Sequence, residues 1–533
     1  MTTTATRFFN TAGPIDAEMH YHVPPLSRLD VEDLQLLIRQ RKYFVLHAPR
    51  QTGKTSALLA LRDDLNAGGE FRCVYVNVEA AQAAREDLET AIRAILGELE
   101  LALETLGDES LAGLWRGVLE SAGPSGALRQ VLARLAGADP RPLVLLIDEI
   151  DALIGDTLLA VLRQLRAGYP DRPRRFPQSV VLCGVRDVRD YRIRSSADNA
   201  VVAGGSAFNI RAESLRLGDF SREEVESLLG QHTAETGQGF TEEARAAVWE
   251  LTEGQPWLVN ALAYEACFRN KAGRDRGREV TSEAIQDARE ELILRRETHL
   301  DQLTDKLQEE RVRRVIEPLL SGADGAGSIA TDDLEYVRDL GLVARDRPVR
   351  IANPIYREVI PRDLTWTTQE MAIPHDPAWY VDEGGGLEVC RLLAAFQEFF
   401  REHSEHWVER FHYKEAGPQL LLQAFLQRIL NSGGRIEREY GLGRLRTDLL
   451  LVWPLPGDAG GMQKAVIACK VLHRGLERTL REGLEQTRAY MDRCGSAEGH
   501  LVIFDRTEGK PWEEKVYRRD ETGGGAPVTV WGM

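Results

Sequence analysis

Three groups of residues have the types and spacing to do chemistry. The first is HAPRQTGKTS, His47 to Ser56, between the apolar run Tyr43–Leu46 and a helix-forming run from Ala57 to Leu65. Strand, tight loop and helix start form the setting of a phosphate-binding loop, where backbone N–H groups and the positive end of a helix dipole converge on an anion. Ala48, Pro49, Arg50, Gln51, Thr52, Gly53, Lys54, Thr55 and Ser56 are the candidate nucleotide contacts. Lys54 reaches for the β- and γ-phosphates and the Thr55 hydroxyl for Mg²⁺. Ala48 stands where the strict pattern has glycine, a small departure because alanine is the least intrusive replacement.

The second group closes the run Leu143-Val-Leu-Leu-Ile-Asp148-Glu149. Five apolar residues ending in a carboxylate pair suit a central parallel strand with acids at its C-terminal edge. Asp148 is expected to bind Mg²⁺, usually through water, and Glu149 to polarise the attacking water. Arg186 ends the next apolar run, Ser179 to Val185, where an arginine can report a γ-phosphate. The third group, Asp448, Lys470, Gln486 and Tyr490, is spread over the last hundred or so residues.

These groups need elements to hold them. Residues 1–30 interleave aromatics and prolines and read as an ordered lead-in that covers a base. A helix is expected over 31–40, strands over 43–46, 71–78, 142–147 and 179–185, and a last strand at Phe208–Ala212. Helical segments follow at 222–235 and 241–251, and Gly254-Gln255-Pro256-Trp257 opens another. In the C-terminal third, 435–440, 446–453, 464–471 and 501–504 read as strands, with helices over 387–401, 417–430 and 480–490.

At 533 residues the chain has room for two to four domains. The net charge of −16 argues against a surface coated in nucleic acid, although it says little about one groove. Six scattered cysteines show no metal spacing and suit reduced core thiols. No apolar run reaches the length of a membrane span, so no membrane partner and a cytoplasmic location are expected.

The ordered set of phosphate loop, LLIDEID, VVLCGVR and GQPW resembles the STAND class of P-loop ATPases among the wider AAA+ relatives, over about residues 8–365. That resemblance implies ATP as cofactor, Gly254 and Pro256 as lid contacts to the base, and Arg186 as the sensor. It also implies nucleotide-dependent homo-oligomerisation and a trigger or partner protein that activates the switch. Residues 332–343 and 349–360 resemble a winged helix, read as helix, turn, short strand, wing and final strand. Its recognition helix carries Asp332, Asp333, Glu335 and Asp339 against Arg338, so phosphates would be repelled and a structural or regulatory role is expected.

Asp448, then Ala468-Cys-Lys470, then Gln486-Thr-Arg-Ala-Tyr490 resembles the RecB-like branch of the PD-(D/E)XK nuclease superfamily. The resemblance implies DNA as substrate and a second Mg²⁺ held by Asp448, with Lys470 steadying the developing charge. Gln486 and Tyr490 would contact DNA or the carboxylates, and Glu415 matches the first-helix glutamate by position. The family has a carboxylate where this chain has Ala468, which should cripple metal binding. Natural loss of catalysis and a deliberate alanine replacement both explain it, and the intact neighbours favour replacement.

The expected fold class is α/β: a P-loop parallel-sheet ATPase core with helical lid and winged helix, plus a C-terminal α/β nuclease-like domain. Boundaries fall at 1–212 for the core, 213–300 for the lid, 301–365 for the winged helix, 366–384 for a linker and 385–533 for the nuclease-like domain. The function expected is an ATP-gated nuclease, in antiphage defence by analogy of architecture, with its cutting site impaired at Ala468. A DNA-repair or processing motor and a signalling scaffold that only binds nucleic acid are the alternatives.

Overall fold

The computed structural model describes residues 7–109, 111–186, 192–194, 201–203, 211–295, 306–307, 309–321, 329–364, 380–382, 384–410, 422, 425–426, 435–439, 447–455, 461–472, 475–505, 507, 510–522 and 525–533, some of them, including 435–439 and 447–448, by backbone alone. The chain divides into two compact units. One comprises Met1–His299 with Tyr336–Val343 and Ala352–Ile355; the other comprises Leu300–Glu335, Ala344–Ile351 and Tyr356–Met533.

The first unit begins with a two-residue parallel pair, β1 (Phe8–Phe9) and β2 (His20–Tyr21), followed by α1 (Val31–Arg39). Then come β3 (Tyr43–His47), α2 (Lys54–Ala67), β4 (Arg72–Asn77), α3 (Leu88–Thr105), α4 (Leu114–Ala122), α5 (Pro124–Ala138) and β5 (Leu143–Asp148). After these lie α6 (Gly155–Gly168), β6 (Ser179–Gly184), a small pair β7 (Arg192–Arg194) and β8 (Val201–Ala203), and β9 (Arg211–Arg216). β3, β4, β5, β6 and β9 form one parallel sheet in the order β4-β5-β6-β3-β9. β3, β4, β5 and β6 are largely apolar because helices cover both faces. β6 lies between β3 and β5, so the phosphate-loop strand and the Asp148 strand are next-nearest neighbours.

The last strand differs from the expected Phe208–Ala212. It runs Arg211–Arg216, with Phe44 opposite Glu213 and Leu46 opposite Leu215. As an edge strand it tolerates Arg211, Glu213 and Arg216, and that polarity hid it from a search for apolar runs. Beyond it come α7 (Arg222–Thr236), α8 (Glu242–Thr252), α9 (Pro256–Tyr264) and α10 (Ser282–Arg295), the helices expected to form the lid. Ser221 and Glu224 close a reciprocal capping box at the start of α7, and Thr241 caps α8.

α11 (Glu310–Ser321), α12 (Thr331–Asp339) and α13 (Pro354–Leu364) follow. The sequence reading placed a final strand within 349–360, and that element is corrected to helix α13. Pro354 sits at its first position, where a missing N–H costs nothing. Ile355, Tyr356, Val359 and Ile360 are buried at helical spacing, although their β-branched and aromatic character reads as strand. Before α13 the backbone doubles back, with Ala344 N–H on Arg350 O and Ala352 N–H on Leu342 O, both at 2.9 Å.

In the second unit, α14 (Val389–Arg410) precedes the antiparallel meander β10 (Arg435–Glu439), β11 (Thr447–Pro454) and β12 (Met462–Val471). α15 (Leu476–Cys494) then crosses to β13 (Glu498–Phe504), parallel to β12. The sheet does not close there, as the sequence reading had it. β14 (Tyr517–Glu521) and β15 (Val528–Gly532) extend it to the order β10-β11-β12-β13-β15-β14. One face packs on α14 through Phe396, Ile467, Phe504 and Trp531, and the other carries Ala468, Leu501, Leu484 and Tyr490.

Candidate functional site

The loop between β3 and α2 turns on two left-handed residues, Gln51 (φ 56°) and Gly53 (φ 89°), the second beginning α2. A side chain at Gly53 would be strained there and would meet the Arg28 guanidinium at 3.2 Å. Thr52 is buried, and its hydroxyl donates to Pro49 O at 2.8 Å, cross-bracing the loop. Lys54 is 5% exposed, with its ammonium donating to Ala48 O at 3.1 Å and Pro49 O at 3.0 Å. A buried cation hydrogen-bonded to two loop carbonyls is poised to exchange them for phosphate oxygens.

Thr55 Oγ1 donates to Asp148 Oδ2 at 2.8 Å and joins the two expected Mg²⁺ residues across the sheet edge. Asp148 is fully buried; its other oxygen accepts the Glu149 N–H at 2.9 Å. The Tyr75 hydroxyl, from β4, donates to the same Oδ2 at 3.0 Å. Nothing in the motif names Tyr75, yet a tyrosine inside a buried strand must find a partner for its hydroxyl, and that was the available signal. Glu149 sits in left-handed backbone (φ 55°) just beyond the strand. Burial pushes its carboxyl above the usual range, with Asp151 and Asp148 adding to the effect and Lys54 and Arg50 opposing it. A carboxylate of raised basicity beside the two residues expected to hold Mg²⁺ is suited to orient water.

Asp151 accepts the Val185 N–H at 3.1 Å and fixes the end of β6 that leads into Arg186. Gly184 leaves room for that carboxylate, since a Cβ would meet Asp151 Oδ1 at 2.1 Å and displace it. The Arg186 guanidinium lies over the Tyr336 ring, 4.5 Å from its centroid.

Beside the phosphate loop opens a cleft of about 130 Å³. Its walls are the lead-in (Asn10–Gly13, Ile15), the loop (Gln51–Gly53, Ser56) and the lid (Phe220, Pro256, Trp257, Asn260). The Ile15 N–H donates to Ser56 Oγ at 3.0 Å, and Trp257 Nε1 donates to Thr11 O at 2.9 Å. Arg28 was missed from sequence: it donates to Thr52 O at 2.6 Å and to Gly218 O and lies over the Phe220 ring. Burial lowers its pKa to about 10, which still leaves it charged at neutral pH. Pro256 lines the cleft, and Gly254 lies in the turn before it. Its carbonyl accepts the Phe220 N–H at 2.8 Å, and a Cβ there would lie 2.1 Å from Phe220 O.

In the second unit, Asp448 on β11 pairs in register with Ala468 on β12, and Lys470 lies two residues further on the same face. α15 covers that face, with Gln486 and Tyr490 both buried one helical turn apart. Gly483 lets the helix approach Leu501, which a Cβ would meet at 2.8 Å. Glu482, a turn earlier, was not anticipated: Arg478 first, and Lys470 further, hold its carboxyl below the usual range. Ala468 is 0% exposed and shares an apolar cluster with Leu450, Val466, Leu501 and Tyr490. Glu415 lies outside the described residues.

Among the described residues, Cys390, Glu498 and His500 are grouped closely enough to hold a metal ion. Trp531 Nε1 donates to His500 Nδ1 at 3.3 Å, which leaves the ring proton on Nε2 for Glu498 at 3.1 Å. That pattern is a satisfied hydrogen-bond network, since a metal would need Nε2 unprotonated.

Residues 38–191 match the family model described as AAA domain. This segment holds the phosphate loop and four strands of the parallel sheet, β3, β4, β5 and β6, and is similar to AAA-type P-loop ATPase domains. Comparison with curated proteins gives no match. Solved structures similar to the chain include the Walker-type ATPase PABY2304 of Pyrococcus abyssi, at 15% identity and a TM-score of 0.44, covering 66% of this chain and 99% of that one. The ORC2 protein of Aeropyrum pernix is 14% identical with a TM-score of 0.42, over 65% and 96% of the two chains. The RuvB Holliday junction branch migration motor of Thermotoga maritima is 13% identical with a TM-score of 0.32, over 64% and 94%. All three TM-scores fall below 0.5, and no role is taken from them. Among the described residues no helix is long and apolar enough to cross a membrane.

Proposed function

We propose that the chain is an ATP-gated nuclease-like effector, in which a STAND-like switch ATPase with a helical lid controls a PD-(D/E)XK domain. The ATPase half rests on the Lys54, Thr55, Asp148 and Glu149 constellation. When Mg²⁺ is bound, it neutralises charge on the phosphates; Thr55 and Asp148 would hold it. Glu149 orients the water, Lys54 binds the phosphoryl oxygens, and the lead-in and lid exclude solvent. Arg186 is assigned as the γ-phosphate sensor. The domain scheme read from sequence, with residues 301–365 as a winged helix, and a cytoplasmic location belong to the same proposal; the six cysteines are free.

One observation carries the effector half. The β11–β12 register sets Asp448 opposite Ala468 with Lys470 next on that face, under a helix bearing buried Gln486 and Tyr490. The helix–meander–helix–parallel strand order around it supports the same reading. Such a site would use Asp448 and Mg²⁺ to position water against a phosphodiester of DNA, with Lys470 stabilising the charge that develops. Ala468 leaves the metal one carboxylate short, so this chain should not cut. Its complete burial among apolar side chains favours a second reading, a domain that binds nucleic acid without cleaving it.

The test uses Ala468→Glu with linear and circular DNA, Mg²⁺, and ATP, ADP or no nucleotide, while size is followed by light scattering. Cleavage that appears only in the variant, and is lost again with Asp448→Ala or Lys470→Ala, supports the nuclease. DNA bound but left intact under every nucleotide supports the binding module. A size independent of nucleotide removes the switch.

A further inference from the structure

We propose that Asn260 selects the base of the bound nucleotide, its side-chain carbonyl accepting a hydrogen bond from the 6-amino group of adenine and rejecting the 6-oxo group of guanine. The proposal rests on the reading of the cleft as the nucleotide site.

Asn260 lies on α9, four residues after Pro256 and three after Trp257, so all three share a face and line the cleft. Its side chain is 6% exposed. Nδ2 donates to Pro256 O at 2.8 Å, which fixes the amide orientation, because a flip would set two carbonyl oxygens against each other. Oδ1 is therefore an acceptor of fixed direction, and it is buried without a hydrogen-bond partner. A carbonyl left in that state is unfavourable, and a ligand that brings a donor relieves it.

Another part of the cleft wall has the opposite character. There Arg28 Nη1 is tied to Thr52 O in the phosphate loop, and its Nε–H is a buried donor without a partner. A cation at the loop suits the phosphate end, so the acceptor on the lid falls to the base. The Trp257–Thr11 hydrogen bond joins lid and lead-in. Adenine presents an amino group where guanine presents an oxygen. The first satisfies Oδ1, and the second sets two acceptors face to face in a site sheltered from water. Sites that bond a ligand N–H discriminate strongly against analogues lacking it.

The test compares ATP, purine riboside triphosphate, which lacks the 6-amino group, and inosine triphosphate, which carries a 6-oxo group, by calorimetry on the whole chain. The unaltered protein should bind purine riboside triphosphate about tenfold more weakly than ATP, and inosine triphosphate more weakly still. In Asn260→Ala the three affinities should converge, because the discriminating atom is gone. Equal affinity of the unaltered protein for ATP and the purine analogue overturns the proposal without any variant. So does an Asn260→Ala protein that weakens all three equally, since a role in holding the α9 turn alone would do that. A protein that binds none of the three fails at the phosphate loop, and this proposal falls with it.

Discussion

The nucleotide site and the Asp448–Lys470 face both put polar residues on or beside the strands of a sheet, yet they are built differently. In the first, loop, lysine and hydroxyl are contiguous in sequence, and each bonds another member of the site: Lys54 to the loop, Thr55 and Tyr75 to Asp148. In the second, the members come from two strands and a helix, and their convergence depends on one antiparallel register. The pivotal position there is an alanine inside a closed apolar cluster. A site written in contiguous sequence carries its own geometry, whereas one assembled by register is only as complete as each strand position.

The comparison is most readily broken at the water-orienting carboxylate. Glu149→Gln should retain ATP and lower turnover by about 10² to 10⁴, the usual worth of a general base. A turnover assay alongside ATP titration reads both; unchanged turnover removes Glu149 from the mechanism. The same residue sets a pH dependence. With its carboxyl held above the ordinary glutamate range, the acid limb of the rate profile should lie above that range too, since protonation removes the base.

On the other side, Ala468→Glu places a carboxylate in an apolar cluster. Without metal it should cost roughly 3–5 kcal/mol in denaturant unfolding, the range for a buried uncompensated charge. Mg²⁺ or Mn²⁺ should restore part of that loss if Asp448 shares the ion. A variant as stable as the parent without metal would show that the position opens to solvent.

Lys54→Ala should weaken ATP binding about 10- to 100-fold, as a charge-assisted contact is lost. Full affinity by calorimetry would end the phosphate-loop assignment. Tyr75→Phe is subtler: ATP affinity without Mg²⁺ should hold, while the Mg²⁺ concentration for half-maximal turnover rises about tenfold, as for partners of metal-binding carboxylates.

The smallest effect concerns His232, enclosed by Phe9, Tyr21, Phe240 and Phe268. Burial chiefly, with Arg276 adding, lowers its pKa. Below about pH 6.5 the unfolded chain binds a proton that the native chain refuses, so stability falls as pH falls. Thermal melts between neutral pH and pH 5 should show a decline that His232→Gln makes shallower.

Much of the first unit was legible because buried parallel strands are long apolar runs and its helices carry ordinary start and stop signals. Ser221 and Thr241 before their helices, and Gly69 after α2, are examples. What escaped were elements whose sequence speaks against their setting. β9 is polar because it lies at an edge, and α13 is β-branched because it is packed into a core. Within the site, Lys54, Thr55 and Asp148 were readable from spacing. Arg28 and Asn260 were not, because a side chain that bonds backbone carbonyls leaves no pattern. In the second unit, Asp448, Ala468 and Lys470 were placed on one face by alternation alone, whereas β14 and β15 gave too short a signal after Phe504.

The strand order of the ATPase sheet also sets when the site can exist during synthesis. β3 leads directly into the phosphate loop, yet both of its partners, β6 and β9, are made much later, the last ending at Arg216. At roughly 5–20 residues per second, the 160 residues from Ser56 to Arg216 (216 − 56) take on the order of ten to thirty seconds to emerge. Until β6 emerges, ending at Gly184, Tyr43–His47 is an apolar strand without either sheet partner, and until Arg216 it lacks one of the two. The lid arrives later still, so ATP can lock only a finished domain.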